Sequence, residues 1–362
     1  MISCTNCGHP YPEIGWPYRC DVCGGVYDFA TWPAYDPQQI DKSQPGIWRY
    51  RFCLGLTEHS PVVSLGEGGT PLVWVEAFGT RMAFKCEYLN PTGSFKDRGS
   101  PLLVSFIKSR GGNVAVEDSS GNAGASFAAY AARGGIKARV FVPETASGPK
   151  RSQISAYGAE LIPVRGARSE AAQAARLVAE QGAAYASHAY LPHNLPGYAT
   201  LAYELVEQMG MPPGTVILPV GQGGLLMGLE RGFSALKQAA VIDRQPMLVG
   251  VQARACAPLW ALAAYGPVGL TWSADANTLA EGIRVRQPVR GDAVLRLVDT
   301  GRVSLVAVDE DVVLTGRDEL AERGFYVEPT SAVVWGALSQ LVGRMQDPVV
   351  VILTGSGLKY TG

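Results

Sequence analysis

Short apolar runs alternate with longer helical patterns along most of this 362-residue chain, and that alternation limits the fold more than any other feature. Apolar, β-branched runs predict strands at 113–117, 138–142, 160–164, 184–187, 215–220, 247–252, 303–308 and 349–353. Apolar spacing of three and four residues predicts helices between them, such as 169–181 and 309–323. Strand, helix and strand in series mean crossover connections and a largely parallel sheet. Strands buried on both faces should be continuously apolar, as Val216-Ile-Leu218 and Val349-Val-Val-Ile-Leu353 are. Ligands of such sheets sit beyond the carboxyl ends of the strands, so the loops after these runs are where chemistry belongs.

The length fits about two domains. Hydrophobic residues make up 47% of the chain and charged residues 17%, the opposite of a disordered segment. A formal net charge of −1 provides no field to hold a phosphate backbone, so nucleic-acid binding is not expected. The longest uncharged run, 255–274, is broken by Pro258 and Gly266-Pro267 and reads as a buried helix plus loop, not a membrane span. The opening Met1-Ile-Ser-Cys4 lacks the layout of a signal peptide, which suggests a cytoplasmic protein.

Four of the seven cysteines fall in the first 23 residues, as Cys4-x-x-Cys7 and Cys20-x-x-Cys23. In a reducing compartment this spacing reads as two knuckles converging on one tetrahedral zinc, the alternative being two reduced and empty knuckles. Four sulfurs close the shell, so a zinc here would be structural. Residues 1–30 therefore read as a zinc-ribbon-like segment, 31–60 as a linker, and 61–362 as the body.

Four loops carry candidate chemistry. The run 215–220 leads through Gly221-Gln222-Gly223-Gly224 into Leu225 and an apolar helix, so that bare backbone N–H groups at a helix start could cradle a phosphate. The third glycine of a dinucleotide fingerprint is replaced by Leu226, and no Gly-Lys-Ser/Thr follows, so a small phosphorylated cofactor fits better than a nucleotide. A tight turn would also explain the glycines. In Asn90-Pro-Thr-Gly-Ser-Phe-Lys96-Asp-Arg-Gly99, a lysine precedes the apolar run 101–107. A lysine at a helix start beside an apolar face loses some preference for its charged form and becomes a candidate nucleophile, whereas a surface lysine is the plain alternative. In Ser119-Ser120-Gly121-Asn122-Ala123, hydroxyls and N–H groups could hold a carboxylate and Asn122 an oxygen, or the segment is an ordinary N-cap. Thr354 could face a ring nitrogen or merely close the last strand.

These segments, in order with Gly66-Glu-Gly-Gly-Thr-Pro71, Glu328-Pro-Thr-Ser-Ala332 and Thr354-Gly-Ser-Gly-Leu-Lys359, resemble the pyridoxal phosphate enzymes of the tryptophan synthase β type (fold type II), and threonine synthases most of all. The resemblance implies two open, mostly parallel, three-layer α/β domains, the smaller at roughly 100–190 inserted in the larger. It implies that Lys96 holds pyridoxal 5′-phosphate covalently and then moves the α-proton, and that Asn122 contacts the cofactor's 3-hydroxyl. Gly221, Gln222, Gly223, Gly224 and Leu225 would bind its phosphate, Thr354 would face its pyridine nitrogen, and Ser119, Ser120 and Ala123 would meet the substrate. A hydroxyl at that nitrogen does not hold it protonated, which favours elimination or replacement over transamination. The implied enzyme is a homodimeric lyase that converts O-phosphohomoserine and water to threonine and phosphate. Serine/threonine ammonia-lyase, or another β-replacement enzyme, is the alternative on the same cofactor, and a non-catalytic zinc-ribbon protein that binds pyridoxal phosphate is the alternative of another class. Threonine synthases commonly carry Thr where this chain has Ala123, and an Asn-Pro-x-Arg phosphate clamp where it has His193-Asn-Leu-Pro-Gly-Tyr198. Lys150 and Arg151 are candidates to replace the missing arginine.

Overall fold

The structure is a computed structural model that describes residues 1–145, 148–272 and 276–360. The chain forms two compact units, one from Met1–Gly68 and Asn90–Gly197, the other from Gly69–Leu89 and Tyr198–Tyr360.

In the first unit four parallel strands lie in the order Glu160–Val164, Lys137–Pro143, Val114–Glu117, Ala184–Tyr185. Val140 and Val142 pack with Val104, Phe127 and Tyr130 of helices Ser100–Ser109 and Asn122–Gly134. Val116, Phe141 and Tyr185 pack with Ala171 and Ala175 of helix Arg168–Glu180. Alternate side chains of the strands thus bury against different helices, which is why these strands read as continuously apolar. Helix Asn122–Gly134 is alanine-rich, a good helix former that also allows close packing, and ends at Gly135 in the left-handed conformation (φ +70°).

The N-terminal residues belong to this unit. Strand Ile2–Cys4 pairs antiparallel with Tyr27–Phe29. Arg110 donates to the Pro12 and Gly15 carbonyls at 2.8 and 2.6 Å, and the Tyr11 ring meets Phe106 edge-on. The 31–60 segment contains a 3₁₀ stretch, Gly46–Cys53, that buries Ile47, Trp48, Tyr50 and Cys53. Glu67 of the Gly-Glu-Gly-Gly motif, fully buried, accepts from Trp48 Nε1 at 2.6 Å and Tyr130 Oη at 2.9 Å, which ties that stretch to helix Asn122–Gly134.

The second unit has six strands in the order Val303–Val308, Met247–Ala253, Thr215–Pro219, Val349–Ile352, Thr80–Lys85, Leu72–Ala77, parallel except for the antiparallel last pair. Helix Pro329–Leu341 buries Val333, Val334 and Trp335 in one core with Ile217, Val249 and Val351. The final hairpin turns at Phe78-Gly79, both at positive φ (53° and 71°). Two positive-φ residues suit the twist of a two-residue hairpin, but no Asn-Gly or Asp-Gly announces it, and the sequence pattern does not predict these two strands.

Within the uncharged run 255–274, Pro258–Tyr265 is a helix and Gly266–Val268 a tight turn followed by the short helix Gly269–Trp272; positions 273 and 274 lie outside the described residues. No described helix is long and apolar enough to cross a membrane.

Candidate active site

In the first unit, strand Val114–Glu117 ends in the loop 118–121, which delivers Asn122 as the first residue of its helix. That helix has no side-chain cap, so Ser119 and Asn122 are not engaged as an ordinary N-cap. Ser119 instead accepts from the Gly121 N–H at 3.2 Å, while Ser120 and Asn122 are half-buried and Ala123 is buried. A Cβ on Gly124 would collide with the Ser119 carbonyl oxygen, so only glycine lets the loop fold back on the helix.

Lys96 lies on the 3₁₀ turn Phe95–Arg98, just ahead of helix Ser100–Ser109 and not within its first turn. Its position is set by its neighbour. Asp97, fully buried, accepts from the Thr92 N–H, the Thr92 hydroxyl and the Ser126 hydroxyl, each at 2.6 Å. Ser126 stands one turn after Asn122 on the same helix face, so one carboxylate locks the lysine turn to the asparagine helix. Lys96 is half-buried, with Nζ 4.9 Å from the centre of the Phe95 ring. Lys85 is buried more deeply, but Thr70 O (2.6 Å), Glu204 Oε1 (2.5 Å) and Gln208 Oε1 (2.9 Å) surround its ammonium and hold it as a structural charge.

Two further groups near Lys96 carried no role in the sequence reading. Glu117 Oε1 and His188 Nδ1 are 2.8 Å apart. Burial pushes the Glu117 carboxyl above the ordinary carboxylate range, against the pull of Arg168, two backbone N–H groups and Lys96. Burial, followed by the Lys96 charge, holds the His188 ring well below its ordinary value. An acidic residue closing an otherwise apolar strand was the available signal for Glu117; nothing local announced His188, Asp97 or Ser126.

In the second unit, strand Thr215–Pro219 runs into Gly221-Gln222-Gly223-Gly224 and helix Gly224–Gln238. Gly223 adopts φ +86°, and a Cβ there would lie 2.6 Å from Val294 Cγ2. The helix has no side-chain cap, which leaves its first-turn N–H groups for an anion. Gln222 is held by its side chain, whose Oε1 accepts from the Val289 N–H at 2.9 Å. Gln252 steadies the loop by donating to Val220 O at 3.3 Å. Thr354 follows the neighbouring strand Val349–Ile352, so it leaves the sheet at the same edge as the glycine loop. It is buried, with Oγ1 3.0 Å from Ser331 Oγ, which also accepts from the Gly355 N–H at 2.7 Å.

Lys96, Asn122, Ser119, Ser120 and Ala123 thus belong to the first unit, and residues 221–225 and Thr354 to the second. Positions 193–198 are buried throughout; the His193 ring stacks on Phe106 (centroids 3.5 Å apart), and Asn194 Nδ2 donates to His188 O. That stretch is interior packing. Lys150 and Arg151 are half-buried in the first turn of helix Pro149–Ala156.

The sulfurs of Cys4, Cys7, Cys20 and Cys23 all lie within 4.8 Å of one another, with Cys4–Cys23 at 3.4 Å and Cys7–Cys20 at 3.7 Å. Burial raises the Cys4 thiol, but the N–H groups of Cys7 and Asn6 outweigh it and hold it at about 7.

The sequence pattern of the pyridoxal-phosphate dependent enzymes matches residues 63–355. The chain belongs to that family. Among its relatives, threonine synthase of Methanocaldococcus jannaschii is 32% identical over 99% of this chain and 93% of that protein. Threonine synthase of Synechocystis sp. is 34% identical over 86% of this chain and 82% of its own length. Among solved structures, a threonine deaminase from T.th. covers 81% of this chain and 94% of its own at a TM-score of 0.67 and 27% identity. Maize serine racemase, at 22% identity and a TM-score of 0.68 over 80% of this chain and 88% of its own, shares the fold. The α/β architecture expected from the strand series is therefore the fold type II architecture of these pyridoxal-phosphate dependent enzymes. The donor set fits the cofactor: uncapped helix N–H groups suit its phosphate, and a buried neutral hydroxyl suits its ring nitrogen.

Proposed function

We propose that this enzyme is a lyase that converts O-phosphohomoserine and water to threonine and phosphate. The observation that carries the reading is its match to threonine synthases over nearly its whole length. Bound pyridoxal phosphate supplies an electron-withdrawing ring that stabilises negative charge on the substrate's α-carbon. Lys96 holds the cofactor through its amine, then takes and returns the proton at that carbon. Asn122 donates its amide to the cofactor's 3-oxygen. The N–H groups of Gly221, Gln222, Gly223, Gly224 and Leu225 hold the phosphate, and Thr354 meets the ring nitrogen without protonating it. Ser119, Ser120 and the Ala123 N–H receive the substrate carboxylate, with Lys150 and Arg151 as cations for the substrate phosphate.

Four thiolates at a Zn–S distance of about 2.3 Å place neighbouring sulfurs about 3.8 Å apart, close to the spacing of Cys4, Cys7, Cys20 and Cys23. They are proposed to hold one structural zinc, as four thiolates do in a reducing cytosol.

A second reading, ammonia-lyase action on serine or threonine, draws on the buried, arginine-free 193–198 stretch. Incubation with O-phosphohomoserine decides. Release of phosphate together with threonine supports the first reading, and formation of a 2-oxo acid from serine or threonine with no phosphate release supports the second. An enzyme whose visible spectrum does not respond to any amino acid would be the non-catalytic cofactor binder.

A further inference from the structure

Asp118 opens the loop that carries Ser119 and Ser120 to Asn122, and it is buried. A buried carboxylate needs donors, and the sheet supplies one. Strand Ala184–Tyr185 pairs parallel with Val114–Glu117, with Tyr185 opposite Val116. Residues two apart leave a strand on the same face, so Asp118, two past Val116, comes to the side of Tyr185. The Tyr185 hydroxyl donates to Asp118 Oδ1 at 2.7 Å. Burial raises the phenol well above its ordinary range, so it keeps its proton and remains a donor. The far end of the loop is held separately, because Asn122 starts the helix that Asp97 grips through Ser126.

Tyr185 is itself covered by the N-terminal segment. It is 1% exposed, yet Ala171 and Ala175 of helix Arg168–Glu180, which pack with it, have short side chains. Tyr18 closes the cluster, edge-on to Tyr185 with centroids 5.1 Å apart and ring planes at 83°, and edge-on to Tyr190 at 5.4 Å. Tyr190 is gripped in turn by Arg19, whose guanidinium lies 5.0 Å from the ring centre and whose Nη2 donates to the phenol oxygen at 2.9 Å. Tyr18 and Arg19 immediately precede Cys20, whose turn is closed by Gly24 N–H to Cys20 O and Cys20 N–H to Gly25 O, each at 2.8 Å. Edge-on aromatic pairs fix orientation as well as burying area, so the cysteine turn sets where the Tyr185 ring can stand.

We propose that the N-terminal cysteine segment positions the substrate loop, with Tyr18 holding the Tyr185 ring and the Tyr185 hydroxyl holding Asp118 at the loop's start. Both tyrosines are positioning residues, acting through Asp118 on Ser119 and Ser120. The inference rests on the reading that this loop receives the substrate carboxylate. A displaced loop start takes hydroxyl and N–H donors away from that carboxylate and leaves the Lys96 turn and Asn122 in place. The segment thereby contributes selectivity for amino acids over amines.

The test uses the full chain with pyridoxal 5′-phosphate bound and compares O-phosphohomoserine with 3-aminopropyl phosphate, the same molecule without its carboxylate. Affinity for each is read from the initial change in the cofactor's visible absorbance. Tyr185→Phe, which removes the hydroxyl and keeps the ring, should weaken O-phosphohomoserine about tenfold or more and 3-aminopropyl phosphate by less than about twofold. Tyr18→Leu should weaken O-phosphohomoserine about threefold with the same selectivity. Asp118→Asn keeps an oxygen for the Tyr185 hydroxyl and should stay within about threefold of the unaltered chain, whereas Asp118→Ala should match Tyr185→Phe. That pair serves if Tyr185→Phe does not fold. Equal losses for both probes, or none, in the folded variants overturn the proposal, because a general loosening of the fold does not sort ligands by their carboxylate. An unaltered chain that binds O-phosphohomoserine no better than 3-aminopropyl phosphate overturns the reading of the loop instead, so the two failures are told apart.

Discussion

Replacing Asp97 by alanine would remove the carboxylate that accepts from the Thr92 N–H, the Thr92 hydroxyl and the Ser126 hydroxyl, while Ser126 keeps Ser100 Oγ at 2.7 Å. Hydrogen bonds to a charged acceptor contribute about 1.5–3 kcal/mol each, so Asp97→Ala should destabilise the protein by about 3 kcal/mol in chemical denaturation. It should also weaken cofactor attachment, because the lysine turn is no longer held to the Asn122 helix. Lys96→Ala acts differently. Its side chain is half-buried and on a 3₁₀ turn held by Asp97, so the variant should fold with a melting curve close to that of the unaltered protein yet show no covalent adduct and no turnover. A retained adduct in Lys96→Ala would mean that another amine holds the cofactor. Lys85 is a poor candidate for that role, since three oxygens already hold its ammonium.

Among the elements, the glycine loop is the most exacting. Gly223 combines φ +86° with a neighbour that leaves no room for a Cβ, and a non-glycine residue in that conformation costs about 1–2 kcal/mol before Val294 has to move. Gly223→Ala should therefore lower cofactor affinity at least about tenfold in a fluorescence titration, by turning aside the N–H groups proposed to hold the phosphate. The cysteine ribbon makes the opposite prediction. Chelation of the zinc proposed there, or Cys4→Ser with Cys7→Ser, should lower the melting temperature by about 5 °C or more and release about one zinc per chain, while the cofactor should still attach at the proposed Lys96. A metal-free chain with an unshifted melting curve would remove the zinc assignment.

For the molecule as a whole, the family match begins at residue 63, but the packing does not. Trp48 and Leu54 share a buried cluster with Leu102, and Arg110 is held by the Pro12 and Gly15 carbonyls. A chain lacking residues 1–60 should therefore melt well below the full-length protein, as expected when several large apolar side chains, each contributing about 1.5–3 kcal/mol, lose their cover. Much of the architecture was legible in the sequence. Strand and helix positions followed from local periodicity, because strands covered on both faces must be apolar throughout, and the candidate loops followed from where parallel sheets expose their carboxyl ends. Those signals are local, and they do not say which strands pair. Only the tertiary structure divided the strands into sheets of four and six, took residues 69–89 into the second unit, and paired Thr80–Lys85 with Val349–Ile352. Only it joined Asp97 to Ser126 across 29 positions and Glu117 to His188 across 71. Such pairings depend on side chains that the folded backbone brings together from distant parts of the chain, and no pattern within either segment encodes its partner.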